Sequence, residues 1–151
     1  MNSFSGNKNM RIQILLTAFA ACWIAAPVHA SDINVVGLWL TADGSAHVDI
    51  ADCGDGTPCG TVVWVDPNQP GTGTDDNNPD PELKGQSIVG SKMLWGFKPN
   101  SEKWGSGKIY DARDGKTYKS KLKLTEDGKL NVKGCVGPFC KTLVWTRVAA
   151  E

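Results

Sequence analysis

The chain has 151 residues, 16 of them basic and 16 acidic, with five Cys, seventeen Gly and six Trp, a length that holds one ordinary domain. Setting aside an N-terminal export leader leaves 14 basic against 16 acidic residues, which argues against a nucleic-acid partner, since that asks for a basic face. No later stretch approaches the ~18 to 20 consecutive apolar residues of a membrane-spanning helix.

The leader is read over residues 1–30. Lys8 and Arg11 precede the apolar run Ile12 to Ala26, and Pro27-Val28-His29-Ala30 offers a small-residue cleavage site before Ser31. Met10 is an alternative start, because Met10-Arg11 and the run behind it already form a complete leader. Phe19-Ala20-Ala21-Cys22 faintly resembles a lipoprotein cleavage box, but lipid attachment at Cys22 would strand the apolar Trp23 to Ala26 in the mature protein. The expected product is a single domain, residues 31–151, that is periplasmic or secreted.

Short strands separated by turn chemistry follow. They are predicted at Val36 to Thr41, Ala46 to Ala51, Thr61 to Val65, Ser87 to Leu94, Gly107 to Asp111, Thr117 to Thr125, Leu130 to Val136 and Thr142 to Val148. Asp43-Gly44, Asp114-Gly115 and Asp127-Gly128 are hairpin turns, because Gly supplies positive φ and Asp tolerates the neighbouring position. Thr117 to Leu124 alternates Tyr118, Ser120, Leu122 and Leu124 against Thr117, Lys119, Lys121 and Lys123, one face for the core and one for water. About eight such strands form an all-β fold, best closed into a small antiparallel up-and-down barrel that removes exposed edges. An open sandwich is the alternative.

Four cysteines remain in the mature chain. Local disulfides are expected between Cys53 and Cys59 and between Cys135 and Cys140, each bracketing a Gly/Pro turn. A four-thiolate zinc site is the competing reading, disfavoured by the wide first spacing and an oxidising compartment. Residues 66–86, rich in Pro, Gly, Asn and Asp, make an unusually long loop, expected as a lid or strap across one barrel mouth. Within it Asp80 caps a single turn begun by Pro81. Asp75, Asp76, Asn77, Asn78 and Asp80 are rich in oxygen but lack calcium-loop spacing, so side chains bonding their own loop are the favoured account of Asn78 and Asp80.

Catalytic signals are thin. The one mature histidine, His47, lies on an outward strand position beside Asp49, with no nucleophile elbow anywhere. Gly115-Lys116-Thr117 echoes a phosphate loop, but Tyr110 occupies the place of its first glycine. Asp111 and Asp114 flank a turn, the commoner use of such residues. No cofactor, no metal and no enzymatic activity are expected. The aromatic residues say more: Trp39, Trp64, Trp95, Trp104, Trp145, Tyr110, Tyr118, Phe97 and Phe139 are many large rings for one small core. Either they fill the barrel, or some of them line a pocket for a small apolar ligand. Trp64, Trp95, Trp104, Tyr110 and Tyr118 are the pocket candidates.

Gly37-Leu38-Trp39 on the first strand and Trp145-Thr146-Arg147 on the last resemble the corresponding strands of a lipocalin-type barrel. That resemblance implies that Gly37 and Trp39 pack near Arg147 and close one end by a cation–π contact. A closer resemblance, over nearly the whole mature chain, is to the bacterial family known as domain of unknown function number 2147. It rests on Cys53-Gly54 and Cys59-Gly60 with Val62-Val63-Trp64, on Asn78-Pro79-Asp80-Pro81 and Leu83, on Ile109-Tyr110-Asp111 with Gly115-Lys116-Thr117-Tyr118, and on Trp145 with Arg147. Ala112 and Gln86 depart from the pattern, which prefers Pro and a basic residue there. The resemblance implies an exported lipocalin-like barrel and carries no established activity, cofactor or catalytic residue. The functional expectation is a non-enzymatic barrel that binds a small apolar or amphipathic ligand. The alternatives are an envelope interaction or structural module that uses the long loop and lysine-rich strands, and an enzyme using Asp or Glu at the barrel mouth.

Overall fold

Alternation of apolar and polar side chains builds nine strands in the computed structural model, which describes residues 34–71, 73–101 and 103–149. The leader expected over residues 1–30 lies outside the described residues. The strands are β1 Gly37–Leu40, β2 Ala46–Asp52, β3 Pro58–Val65, β4 Lys92–Trp95, β5 Lys98–Asn100, β6 Lys103–Asp111, β7 Lys116–Leu124, β8 Leu130–Val136 and β9 Phe139–Arg147. They hydrogen-bond in the order β4-β3-β2-β1-β9-β8-β7-β6-β5, and β4 also pairs with β6. That last pairing closes eight antiparallel strands into a barrel and leaves β5 as a short extra strand on β6. Among the described residues no helix is long and apolar enough to cross a membrane.

The eight strands expected from the sequence are present, with shifted ends. The fourth begins at Lys92 rather than Ser87, because Gly90 adopts φ +93° and Ser91 N–H donates to Ile88 C=O in a turn. β5 was not anticipated: Lys98-Pro99-Asn100 is exposed at every position and carries no alternation to read. A second difference is a bulge. Val48 pairs with Val62 and His47 with Trp64, so Val63 is an extra residue in β3. The bulge turns Val62 and Val65 inward together and puts Trp64 outside.

The two ends of the barrel are built differently. At one end Trp39, Val48, Ile50, Leu94, Phe97, Leu122, Leu130 and Val132 form a filled core. Each large apolar side chain buried this way contributes about 1.5–3 kcal/mol. Trp39 is fully buried, its Nε1–H donates to Val35 C=O at 2.9 Å, and the Arg147 guanidinium lies 4.3 Å from its ring centroid. Arg147 also donates to Val36 C=O at 3.0 Å. Gly37 sits at φ +138°, where a Cβ would lie 2.1 Å from Arg147 Nη1, so the residue beneath the guanidinium has to be glycine. The closure implied by Gly37, Trp39 and Arg147 is thus formed. Both disulfides are local: Cys53–Cys59 in the β2–β3 connection at the filled end, and Cys135–Cys140 directly across the β8–β9 ladder at the other.

Candidate functional site

The other half of the barrel is hollow. A cavity of about 690 Å³ opens at the end formed by the β1–β2, β6–β7 and β8–β9 turns, within the ~300–1,000 Å³ range typical of small-molecule sites. Its wall includes Val62, Val65, Ile88, Met93, Ile109, Leu143 and Trp145. Small residues contribute to this wall: Ala46 on β2 and Ala112 after β6, which pack with Val62, Val65, Ile88 and Met93, and Gly134 on β8. A Cβ built on Gly134 would find its nearest neighbour, Ile109 Cγ2, only at 3.9 Å. Glycine in a strand interior, with nothing pressing on it, leaves room for something else.

Of the five aromatic residues proposed from the sequence, Tyr110 and Tyr118 line this cavity. Trp64, 40% exposed, stands on the outer surface beyond the bulge and packs on His47 with ring centroids 4.5 Å apart. Trp104 packs against the filled core, and Trp95 follows the inward Leu94 on the opposite face of β4. Trp145, one of the large rings of the sequence but not among its pocket candidates, also lines the cavity, because its register opposite Leu130 points it inward. Among the described residues two buried side-chain atoms lack a hydrogen-bond partner, Trp145 Nε1 and Ser120 Oγ. Ser120 faces Gly134 across the β7–β8 ladder.

The mouth is polar and tied across. Arg113 donates to Asp111 with both Nε and Nη2, at 2.9 and 2.8 Å, and reaches Asp43 Oδ2 with Nη1 at 3.0 Å. Two strands separate the β1–β2 and β6–β7 turns in either direction round the barrel, so the Arg113–Asp43 pair joins opposite sides of the opening. Hydrogen bonds from Arg113 hold the Asp111 carboxyl below the usual carboxylate range against the upward pull of burial. For Asp43 burial pushes upward, and hydrogen bonds from Ser45 and Thr41 together with the Arg113 charge outweigh it, so this carboxyl too is held low. Both acids therefore remain charged partners of Arg113 at neutral pH.

Among the described residues of 66–91 there is no strand beyond the isolated Thr74–Ser87 bridge, Gln69 and Asn77 donate to Asp43 C=O and Arg113 C=O on the mouth turns, and Gly71 and Ile88 contribute to the cavity wall. The oxygen-rich part of this segment is committed to holding the loop in place. Asp75 is buried and accepts from Tyr110 O–H at 2.7 Å and from Asn78 Nδ2 at 2.6 Å. Burial raises the Tyr110 phenol well above its ordinary value, and Asp75 reinforces this, so the phenol stays neutral and keeps donating. Asn77 donates to Arg113 C=O at 3.0 Å, its own carbonyl lying where a Cβ on Gly115 would be. Asn78 Oδ1 accepts from Asp80 N–H, and Asp80 Oδ1 accepts from Glu82 N–H, capping the short turn over 80–84. The loop is a pinned rail along the rim.

Among solved structures, the chain resembles protein HP1028 from the human pathogen Helicobacter pylori, described as belonging to the lipocalin family. The two share 24% sequence identity over 78% of this chain and 84% of that one, with a TM-score of 0.67, a likeness of fold. No curated protein matches the chain. The family model described as "Uncharacterized protein conserved in bacteria (DUF2147)" matches residues 37–147, the span from the first barrel strand to the last, and the chain belongs to that family.

Proposed function

We propose that the protein is an exported, non-enzymatic carrier that holds one small apolar or amphipathic ligand in the hollow half of its barrel. The observation that carries this reading is the cavity of about 690 Å³, walled by aliphatic and aromatic side chains and opening at a charged rim. Apolar walls with few polar groups are the usual build of a small-molecule site. Export belongs to the same reading: two disulfides between close cysteines suit an oxidising compartment, as does the leader read over residues 1–30.

Native mass spectrometry of the protein recovered from its own cells without detergent tests this. A discrete added mass, released on unfolding, is the expected result, and its fragmentation names the ligand. A bare polypeptide mass, unchanged after incubation with an envelope lipid extract, overturns the proposal.

A further inference from the structure

Three consecutive strands, β7, β8 and β9, carry Lys116, Lys119, Lys121, Lys123, Lys133, Lys141 and Arg147 and not one Asp or Glu, with Lys141 at the cavity wall and Arg147 over Trp39 at the closed end. This asymmetry stands in a chain with no net charge. The acids lie on β2, at the end of β6, along residues 66–82 and on the turns, including Glu126 and Asp127 between β7 and β8, where Asp127 is paired with Lys129. Strand alternation points Lys119, Lys121, Lys123 and Lys133 outward, and the register sets Lys121 directly opposite Lys133. Like charges at facing positions destabilise a sheet, so this arrangement is unfavourable for folding and favourable for meeting negative charge.

The same strands end in the most exposed large apolar side chains among the described residues. Phe139 is 80% exposed and Val136 63%, flanking Gly137 and Pro138 at the β8–β9 tip. The Cys135–Cys140 disulfide ties the two strands immediately behind it. Val136 and Phe139 also form part of the cavity wall at the mouth, so the apolar lining continues out onto the tip.

We infer that the outer face of β7–β9 docks the protein on an anionic lipid surface, with the Val136–Phe139 tip entering the interface. Lysines beside an inserted aromatic residue are the combination that binds such surfaces. An acidic protein partner would use the lysines but has no need of a rigid apolar tip that opens into a cavity. Docking stands on charge and exposure alone. Where the carrier reading also holds, the tip offers an apolar ligand a path between bilayer and cavity.

Vesicle co-sedimentation tests the inference, using purified protein whose N terminus has been read by mass spectrometry. Phosphatidylcholine vesicles with and without phosphatidylglycerol, together with soluble poly-glutamate, are the probes. The protein is expected to partition onto the phosphatidylglycerol vesicles, not onto the neutral ones, and to release as salt is raised. Lys133→Glu places opposite charges at the facing positions, so it keeps the fold and weakens partition by at least about fivefold, the value of one lysine at such a surface. Phe139→Ser weakens it while the salt dependence persists. Equal partition onto neutral vesicles, no partition at all, undiminished partition of Lys133→Glu, or binding to poly-glutamate as tight as to the vesicles overturns the assignment, the last giving the face to an acidic protein. Native mass spectra of the same variants read cavity loading separately, so failure of docking is distinguishable from failure of the carrier reading.

Discussion

Replacing Gly37 with alanine attacks the closed end at its tightest point. The new methyl would lie 2.1 Å from Arg147 Nη1, on a backbone held at φ +138°. The backbone strain alone costs about 2 kcal/mol. Arg147 must also leave its place over Trp39 and its bond to Val36 C=O, a loss of about 1.5 kcal/mol when an exposed cation–π contact and one hydrogen bond are combined. Gly37→Ala is therefore expected to lose about 3.5 kcal/mol, and Arg147→Ala about 1.5 kcal/mol. The double variant is expected to lose no more than Gly37→Ala alone, since the displaced side chain is already gone. At roughly 4 °C per kcal/mol for a domain of this size, the melting temperature falls by about 14 °C in the first and last cases and about 6 °C in the second. Calorimetric melting of the four proteins reads this directly. Additivity of the two single losses, within about 0.5 kcal/mol, would show that the guanidinium does not constrain Gly37 and would refute the reasoning.

Other expectations concern the mouth. Arg113→Ala removes an exposed ion pair, so it shifts stability by less than about 1 kcal/mol, yet it unties opposite turns; ligand dissociation followed by stopped-flow fluorescence should be faster than in the parent, and an unchanged rate would remove the cross-mouth pair from the account. Replacing Cys135 and Cys140 together with serine opens a short loop worth about 2 kcal/mol in chain entropy, a drop of about 8 °C that an unaltered melting curve would contradict. The carboxyls of Asp111 and Asp43 are lowered in the folded state, so their stabilisation is present above the unfolded value of about 3.9 and is lost as pH falls through the folded values beneath it. Melting temperature measured from neutral pH to about pH 2 should decline in that acid window, less steeply in Arg113→Gln; equal acid slopes in parent and variant would refute the Arg113 coupling.

Much of the barrel was legible because its signals are local. Tyr118 to Leu124 alternates within one strand, each Asp-Gly pair is its own turn, and the cysteine pairs lie five and six residues apart. The G-x-W pattern and the final Arg were legible only through resemblance, since their contact spans the whole domain. The site was harder to read. The extra residue Val63 moves Trp64 from the inside to the outside, and nothing in Val62-Val63-Trp64-Val65 announces a bulge. The cavity wall brings together Ala46, Ala112 and Gly134 from distant parts of the chain, and the pair across the mouth joins residues 70 positions apart. Gly134 was the available clue: a glycine inside a strand, away from any turn, marks a place where a side chain is being avoided.

Filling the hollow half of the barrel should abolish binding there. Gly134→Leu projects a branched side chain into space where even a Cβ meets only Ile109 Cγ2, at 3.9 Å. Isothermal titration of both proteins with a medium-chain alcohol such as decanol is the measurement, paired with a melting curve for each. One site in the parent, none in Gly134→Leu, and a variant at least as stable as the parent are expected. Equal binding by both proteins, or none by the parent, would contradict it.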